Sequence, residues 1–202
     1  MIEINCHSSI KIIKGKTIYI DPFRIEKEQN DASLILITHN HYDHYSEEDI
    51  KKVINENTVI VAPKTMKVGI NAKEVIYVEP NKQYEILGIK IKSIPAYNIN
   101  KHFHPKENQL VGYILEIENE KYYIAGDTDI TPENKQVKCD IALVPVGGTY
   151  TMTYEESAEL VNTIKPRLAI PTHYGCIVGN KNDGIKFKEL LNAEINCEIL
   201  IK

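Results

Sequence analysis

Apolar and polar residues alternate with a period of two in three short stretches near the start of the chain, Ile2 to Ile4, Ile10 to Ile13 and Thr17 to Ile20, each bounded by Gly, Asn, Ser or Pro. This pattern predicts paired antiparallel strands. Leu34 to Ile37 is instead a continuous apolar run, which predicts a strand covered on both faces. Ser46 then precedes Glu47, Glu48 and Asp49, with Ile50, Val53 and Ile54 on one face, so a helix is expected to start there. Beyond it the chain reads as a strand (Val59 to Ala62), a short helix (Lys64 to Ile70), a strand (Val75 to Val78) and two longer strands through Tyr84 to Ile94.

The same logic recurs after residue 109. Val111 to Ile117 and Lys121 to Ala125 form an expected hairpin around Glu118-Asn119-Glu120, and Ile141 to Val146 is another buried strand. Thr153-Tyr154-Glu155-Glu156 has the form of a capping box, with Ala158, Val161 and Ile164 at helical spacing behind it and Pro166 as the stop. Leu168 to Ile170 reads as a strand leading into Pro171-Thr172-His173. Two β-rich halves, each with helices that need an apolar surface, predict an α+β sandwich with sheets face to face and helices outside. At 202 residues the expectation is one domain over 1–202.

Composition removes several function classes. With 43% hydrophobic and 26% charged residues and no apolar run near the roughly 20 residues that cross a bilayer, the chain is not expected to span a membrane. MIEINCHSS carries an early Glu3 and lacks the basic start and apolar middle of an export signal, so a cytoplasmic location is expected. Cysteines 6, 139, 176 and 197 form no CxxC pair and read as small core thiols. The net charge of -4, with mixed signs along the chain, argues against a nucleic-acid partner.

The chemistry concentrates in ITHNHYDHYSEED, residues 37–49, where three of the seven histidines and an aspartate follow a buried strand directly. Residues two apart on an extended segment point the same way, so His39 and His41 approach one metal from one side. Asp43 and His44 follow where the chain turns into the helix, and their different directions reach a second ion. Imidazole and carboxylate suit zinc foremost, and manganese or iron as well. From composition alone, HxHxDH arises by chance on the order of once in several thousand chains of this length. Asp127 and His173 likewise lie just beyond strands, and Asp127 is the candidate bridge between ions.

His39-Asn40-His41-Tyr42-Asp43-His44 resembles the HxHxDH signature of the metallo-β-lactamase superfamily. Ile20-Asp21-Pro22, Ala125-Gly126-Asp127-Thr128 and Pro171-Thr172-His173 match its other motifs, so the likeness spans residues 2 to about 180. The short form, with CHSS near the start, is similar to the branch of ascorbate-6-phosphate lactonases and N-acylphosphatidylethanolamine phospholipase D relatives. The resemblance implies a four-layer αβ/βα sandwich and a dinuclear site. By motif it assigns His39 and His41 to the first metal, Asp43 and His44 to the second, Asp127 between them and His173 on the second. The segment Tyr97 to Lys106 supplies the remaining histidine, His104 in preference to His102. His7 and Asp21 are candidates for holding ligands from behind; Tyr150, Tyr154 and Tyr174 flank the expected rim.

Two divalent ions about 3.5 to 4 Å apart can share a water and present hydroxide at neutral pH, so hydrolysis is the expected chemistry, with Asp43 orienting the nucleophile or taking its proton. The expected substrate is a small ester-like molecule, a lactone or a phosphodiester. Lys101, His102 and Lys106 are compatible with an anionic substrate or with a solvated loop. Other readings are a metal-binding scaffold without catalysis, and a di-iron redox protein, for which the resemblance implies a flavin domain that this chain lacks.

Overall fold

The computed structural model describes residues 1–201; the chain divides into two compact units, the first ending at Glu79 and the second beginning at Pro80. The first is built on a six-stranded sheet in the order β1-β2-β3-β4-β5-β6: Ile2–Cys6, Ser9–Lys14, Lys16–Ile20, Leu34–Leu36, Val59–Pro63 and Glu74–Val78. The predicted antiparallel start is present, with Ile10 opposite Ile20 and Ile4 opposite Ile10. From β3 onward the pairing is parallel. β4 is buried throughout because it lies between two parallel neighbours, which is what its unbroken apolar run reports.

α1 (Glu47–Val53) starts where the acids after Ser46 predict. The Ser46 side chain accepts from the Asp49 backbone N–H, and Lys51 and Lys52 sit in the last turn, where a cation suits the helix dipole. Ile50 and Val53 join Ile35, Ile37 and Ile60 in the core of this unit. The expected helix over Lys64 to Ile70 is absent: these residues turn without helical structure. Their backbone groups find other partners, Gly69 N–H donating to the Tyr45 hydroxyl at 2.9 Å and Lys64 N–H to the Val78 carbonyl at 2.9 Å. Met66 and Ile70 are buried from this irregular segment, so a helical spacing of apolar residues was serving a loop.

The second unit carries a seven-stranded sheet in the order β13-β12-β11-β10-β9-β8-β7. The strands are Gln83–Ile86, Ile89–Pro95, Val111–Ile117, Glu120–Ile124, Ile141–Pro145, Leu168–Thr172 and Asn196–Cys197 for β7 to β13. The β9–β10 hairpin closes through Glu118 and Asn119, both at positive φ (50° and 64°), as a tight primed turn requires. β10 to β13 pair in parallel. α2 (Tyr154–Ile164) has the predicted capping box in full and ends at Lys165 in the left-handed region just before Pro166. Its Ala158, Leu160, Val161 and Ile164 pack with Ala142, Val144, Ala169 and Phe187. Phe187 comes from α3 (Asp183–Glu189), a helix too short and too weakly patterned for the sequence reading to find. Among the described residues no helix is long and apolar enough to cross a membrane.

Candidate metal centre

The first unit gathers its donors at the exit of β4. Thr38, His39 and His44 are buried, and Asp43 nearly so. His39 Nε2 lies 3.1 Å from His41 Nδ1, and ligand atoms of His7, Asp43 and His44 lie within 4.8 Å of one another. Asp21, from the end of β3, organises the set. One carboxylate oxygen accepts the Thr38 backbone N–H at 2.8 Å; the other accepts the Thr38 hydroxyl at 2.6 Å and His44 Nδ1–H at 2.8 Å.

That arrangement fixes two imidazoles. With its proton given to Asp21, the Thr38 hydroxyl oxygen accepts from His39 Nδ1–H at 3.0 Å. His39 and His44 therefore both carry the proton on Nδ1, leaving Nε2 of each as a lone-pair donor to a cation. Complete burial pushes the Asp21 carboxyl above the usual carboxylate range, against the opposing pull of His44 and the Thr38 hydrogen bonds. His7, which the sequence left as a supporting residue, donates from Nε2 to Asp43 Oδ2 at 3.1 Å. His7 and Asp21 are held at φ 59° and 46°, a left-handed backbone that non-glycine residues adopt at a cost.

In the second unit three strand exits supply the donors. Asp127 follows β10 after Gly126, His173 follows β12, and His104 comes from the loop between β8 and β9. Asp127 Oδ2 lies 3.1 Å from His173 Nε2 and 3.4 Å from His104 Nε2, and all three residues are buried. His104 is held by its own loop: its backbone N–H donates to Asn98 Oδ1 at 2.9 Å, and Nδ1 lies 3.2 Å from both Asn98 Oδ1 and the Tyr150 carbonyl. Facing two acceptors, Nδ1 carries the proton, and the Nε2 lone pair is turned toward a carboxylate oxygen. His102 is exposed, so of the two candidates only His104 stands with Asp127. His173 has φ 57°, and its carbonyl packs so closely on Gly147 that a Cβ there would collide with it.

Two acceptors pointed at each other repel unless a cation lies between them. His104 Nε2 against Asp127 Oδ2 at 3.4 Å, and His44 Nε2 against Asp43 Oδ2 at 3.7 Å, have this form, so the donor chemistry fits bound divalent metal. The residues the sequence missed are the holders Thr38, Asn98 and the Tyr150 carbonyl. Thr38 immediately precedes the histidine run and was open to inspection; the Tyr150 carbonyl had no sequence signal. Of the three tyrosines expected at the rim, Tyr150 is exposed, Tyr154 lies under Lys186 with Nζ 4.9 Å from its ring centre, and Tyr174 is buried.

Comparison with known proteins identifies the family. The family model for a beta-lactamase superfamily domain matches residues 2–173. A UPF0173 protein of Pyrococcus abyssi is 32% identical, covering 86% of this chain and 82% of its own. A UPF0173 metal-dependent hydrolase of Thermococcus onnurineus is 29% identical, covering 96% and 93%. Among solved structures, a Parabacteroides distasonis protein superposes with a TM-score of 0.84 at 29% identity over 100% of this chain and 93% of that one. A novel metallo hydrolase from Ignicoccus hospitalis gives 0.78 at 20% identity over 98% and 93%. The chain belongs to the beta-lactamase superfamily, in the UPF0173 group of metal-dependent hydrolases.

Proposed function

We propose that this metal-dependent hydrolase, working as a single domain, cleaves a small ester-like substrate, a lactone or a phosphodiester, at a dinuclear metal centre. By the motif resemblance, His39, His41 and His104 would hold one cation and Asp43, His44 and His173 the other, with Asp127 available to both. The observation that carries the reading is the pair of opposed acceptors, His104 with Asp127 and His44 with Asp43, each imidazole having its proton committed to the far side. Zinc is the favoured ion for an imidazole-rich set, with manganese and iron as alternatives.

Bound divalent metal would supply Lewis acidity and make water acidic enough to act as a nucleophile near neutral pH. The chain's own residues do the rest. Asp43 takes or orients the nucleophile's proton at a carboxylate oxygen, and the His7 N–H holds Oδ2 in place from behind. Asp21 and Thr38 fix the imidazole tautomers, so the donors are aligned before substrate arrives. A cytoplasmic setting belongs to the same proposal. Burial pushes the Cys139 thiol up to about 12 and that of Cys197 to about 11, which suits unreactive packing thiols.

The test is a panel of lactones, phosphodiesters and thioesters assayed with zinc, manganese and iron. Activity on one class, abolished by chelation and restored by one metal, is the expected result. Stoichiometric metal with no turnover on any class supports a scaffold, and bound iron with colour on oxidation but no hydrolysis supports redox chemistry.

A further inference from the structure

Two of the groups compatible with an anionic substrate near His104, Lys101 and Lys106, are already engaged. Lys101 Nζ lies 2.6 Å from Asp129 Oδ1 and 3.7 Å from Glu156 Oε2. Lys106 lies 3.1 Å from Glu133 Oε1, donates to the Tyr97 hydroxyl at 3.2 Å and sits over that ring. Beside the exposed Asn100 and His102, the same loop also presents apolar side chains outward: Ile99 is 52% exposed, Phe103 48% and the neighbouring Tyr150 37%. Single exposed apolar side chains are ordinary, but three in one place next to a buried donor histidine are not.

This patch is also rigidly mounted. Asn98 N–H donates to the His104 carbonyl at 2.8 Å, closing the loop at its ends, and Ile99 N–H donates to Asp129 Oδ2 at 2.9 Å. The Phe103 and Tyr150 rings meet edge to face, with centres 4.6 Å apart and planes at 88°. The carbonyl of that same Tyr150 accepts from Asn98 Nδ2 at 3.0 Å and faces His104 Nδ1. The aromatic pair and the donor imidazole thus belong to one hydrogen-bonded unit.

We propose that Ile99, Phe103 and Tyr150 form a wall that receives an apolar substituent of the substrate, aryl or branched alkyl, beside His104. The inference rests on the hydrolase reading above and narrows it: the group adjoining the scissile bond on this side is uncharged and hydrophobic. Burying an aryl group against preformed aromatic surface favours substrates that carry one.

The chain contains no tryptophan, so Phe103→Trp installs a single fluorescent reporter in the wall. In chelated protein, titration with phenylacetamide should give a saturable change in emission, and acetamide should give none. With metal restored, kcat/KM for a phenylacetyl ester should exceed that for the matching acetyl ester by about tenfold in the natural sequence, and the Phe103→Ala, Tyr150→Ala double variant should lose that preference. Equal responses to both amides, no response to either, or a flat ester preference would overturn the wall. So would an emission change that follows protein concentration alone and tracks dimer formation in sedimentation, since the patch would then seat a second copy. Saturable binding of phenylacetamide without hydrolysis of either ester, or of any lactone or phosphodiester in the panel, upholds the wall and defeats the proposed substrate reading instead.

Discussion

The two donor sets are built by different means. In the first unit a single loop carries His39, His41, Asp43 and His44, and one buried carboxylate, Asp21, holds His44 directly and His39 through Thr38. In the second, His104, Asp127 and His173 come from three separate strand exits, and their approach depends on sheet register and close backbone packing. One set is therefore vulnerable through a hydrogen-bonded acid, the other through a backbone contact.

The largest effect is expected where no side chain can be accommodated. Gly147→Ala drives a Cβ into the His173 carbonyl, and the cost should be about 2–3 kcal/mol in stability with most metal binding lost. Urea unfolding and a metal assay check it; a variant with normal metal content would mean that the second set does not need this packing.

Asp21→Asn tests the first set. An amide in place of the carboxylate disturbs both imidazole tautomers, and zinc affinity should fall about 10- to 100-fold by competition with a chelator. Unchanged affinity would remove Asp21 from the account.

A smaller effect separates the frame of the first unit from its chemistry. Asp49 accepts from the backbone N–H groups of Arg24 and Ile25, from Ser46 and from Lys52. Burial alone would raise its carboxyl, but the hydrogen bonds from Ser46, Lys52, Arg24 and Ile25 together win and hold it below the usual range. Because the folded value is depressed, the stabilisation is present above the unfolded value near 3.8 and is lost as pH falls through the folded one. Asp49→Asn should cost roughly 2 kcal/mol at pH 7, and the difference should shrink in acid, as read from urea unfolding at pH 7 and pH 3.

The smallest effect is expected at Tyr174, whose hydroxyl is buried without a hydrogen-bond partner among the described residues and is pushed up to about 12 mainly by burial. Tyr174→Phe should leave metal content intact and be neutral or stabilising by up to about 1 kcal/mol. A large loss of activity would give this tyrosine a role that its burial does not suggest.

The same contrast decides what the sequence could reveal. The 39–44 run stood out because one loop writes its candidate donors consecutively after an apolar strand. Asp127 and His173 were proposed only through short motifs at strand ends, and burial, which depends on Asn98 nearby and on the Tyr150 carbonyl 46 residues away, separates His104 from His102. Strands and capped helices were readable where period and cap agreed, as in α2. The segment from Lys64 to Ile70 misled because Tyr45 and Val78, distant in sequence, satisfy its backbone. α3 is carried by one buried Phe187 and an Asn182 cap without a side-chain hydrogen bond, too little signal to stand out.

Metal content of the natural protein and of Asp127→Ala, each purified without chelator, tests the proposed dinuclear centre most directly. Two equivalents of divalent metal in the first, with loss of both in the second, is the predicted outcome. A full complement of metal in Asp127→Ala, with activity preserved on a confirmed substrate, would contradict it.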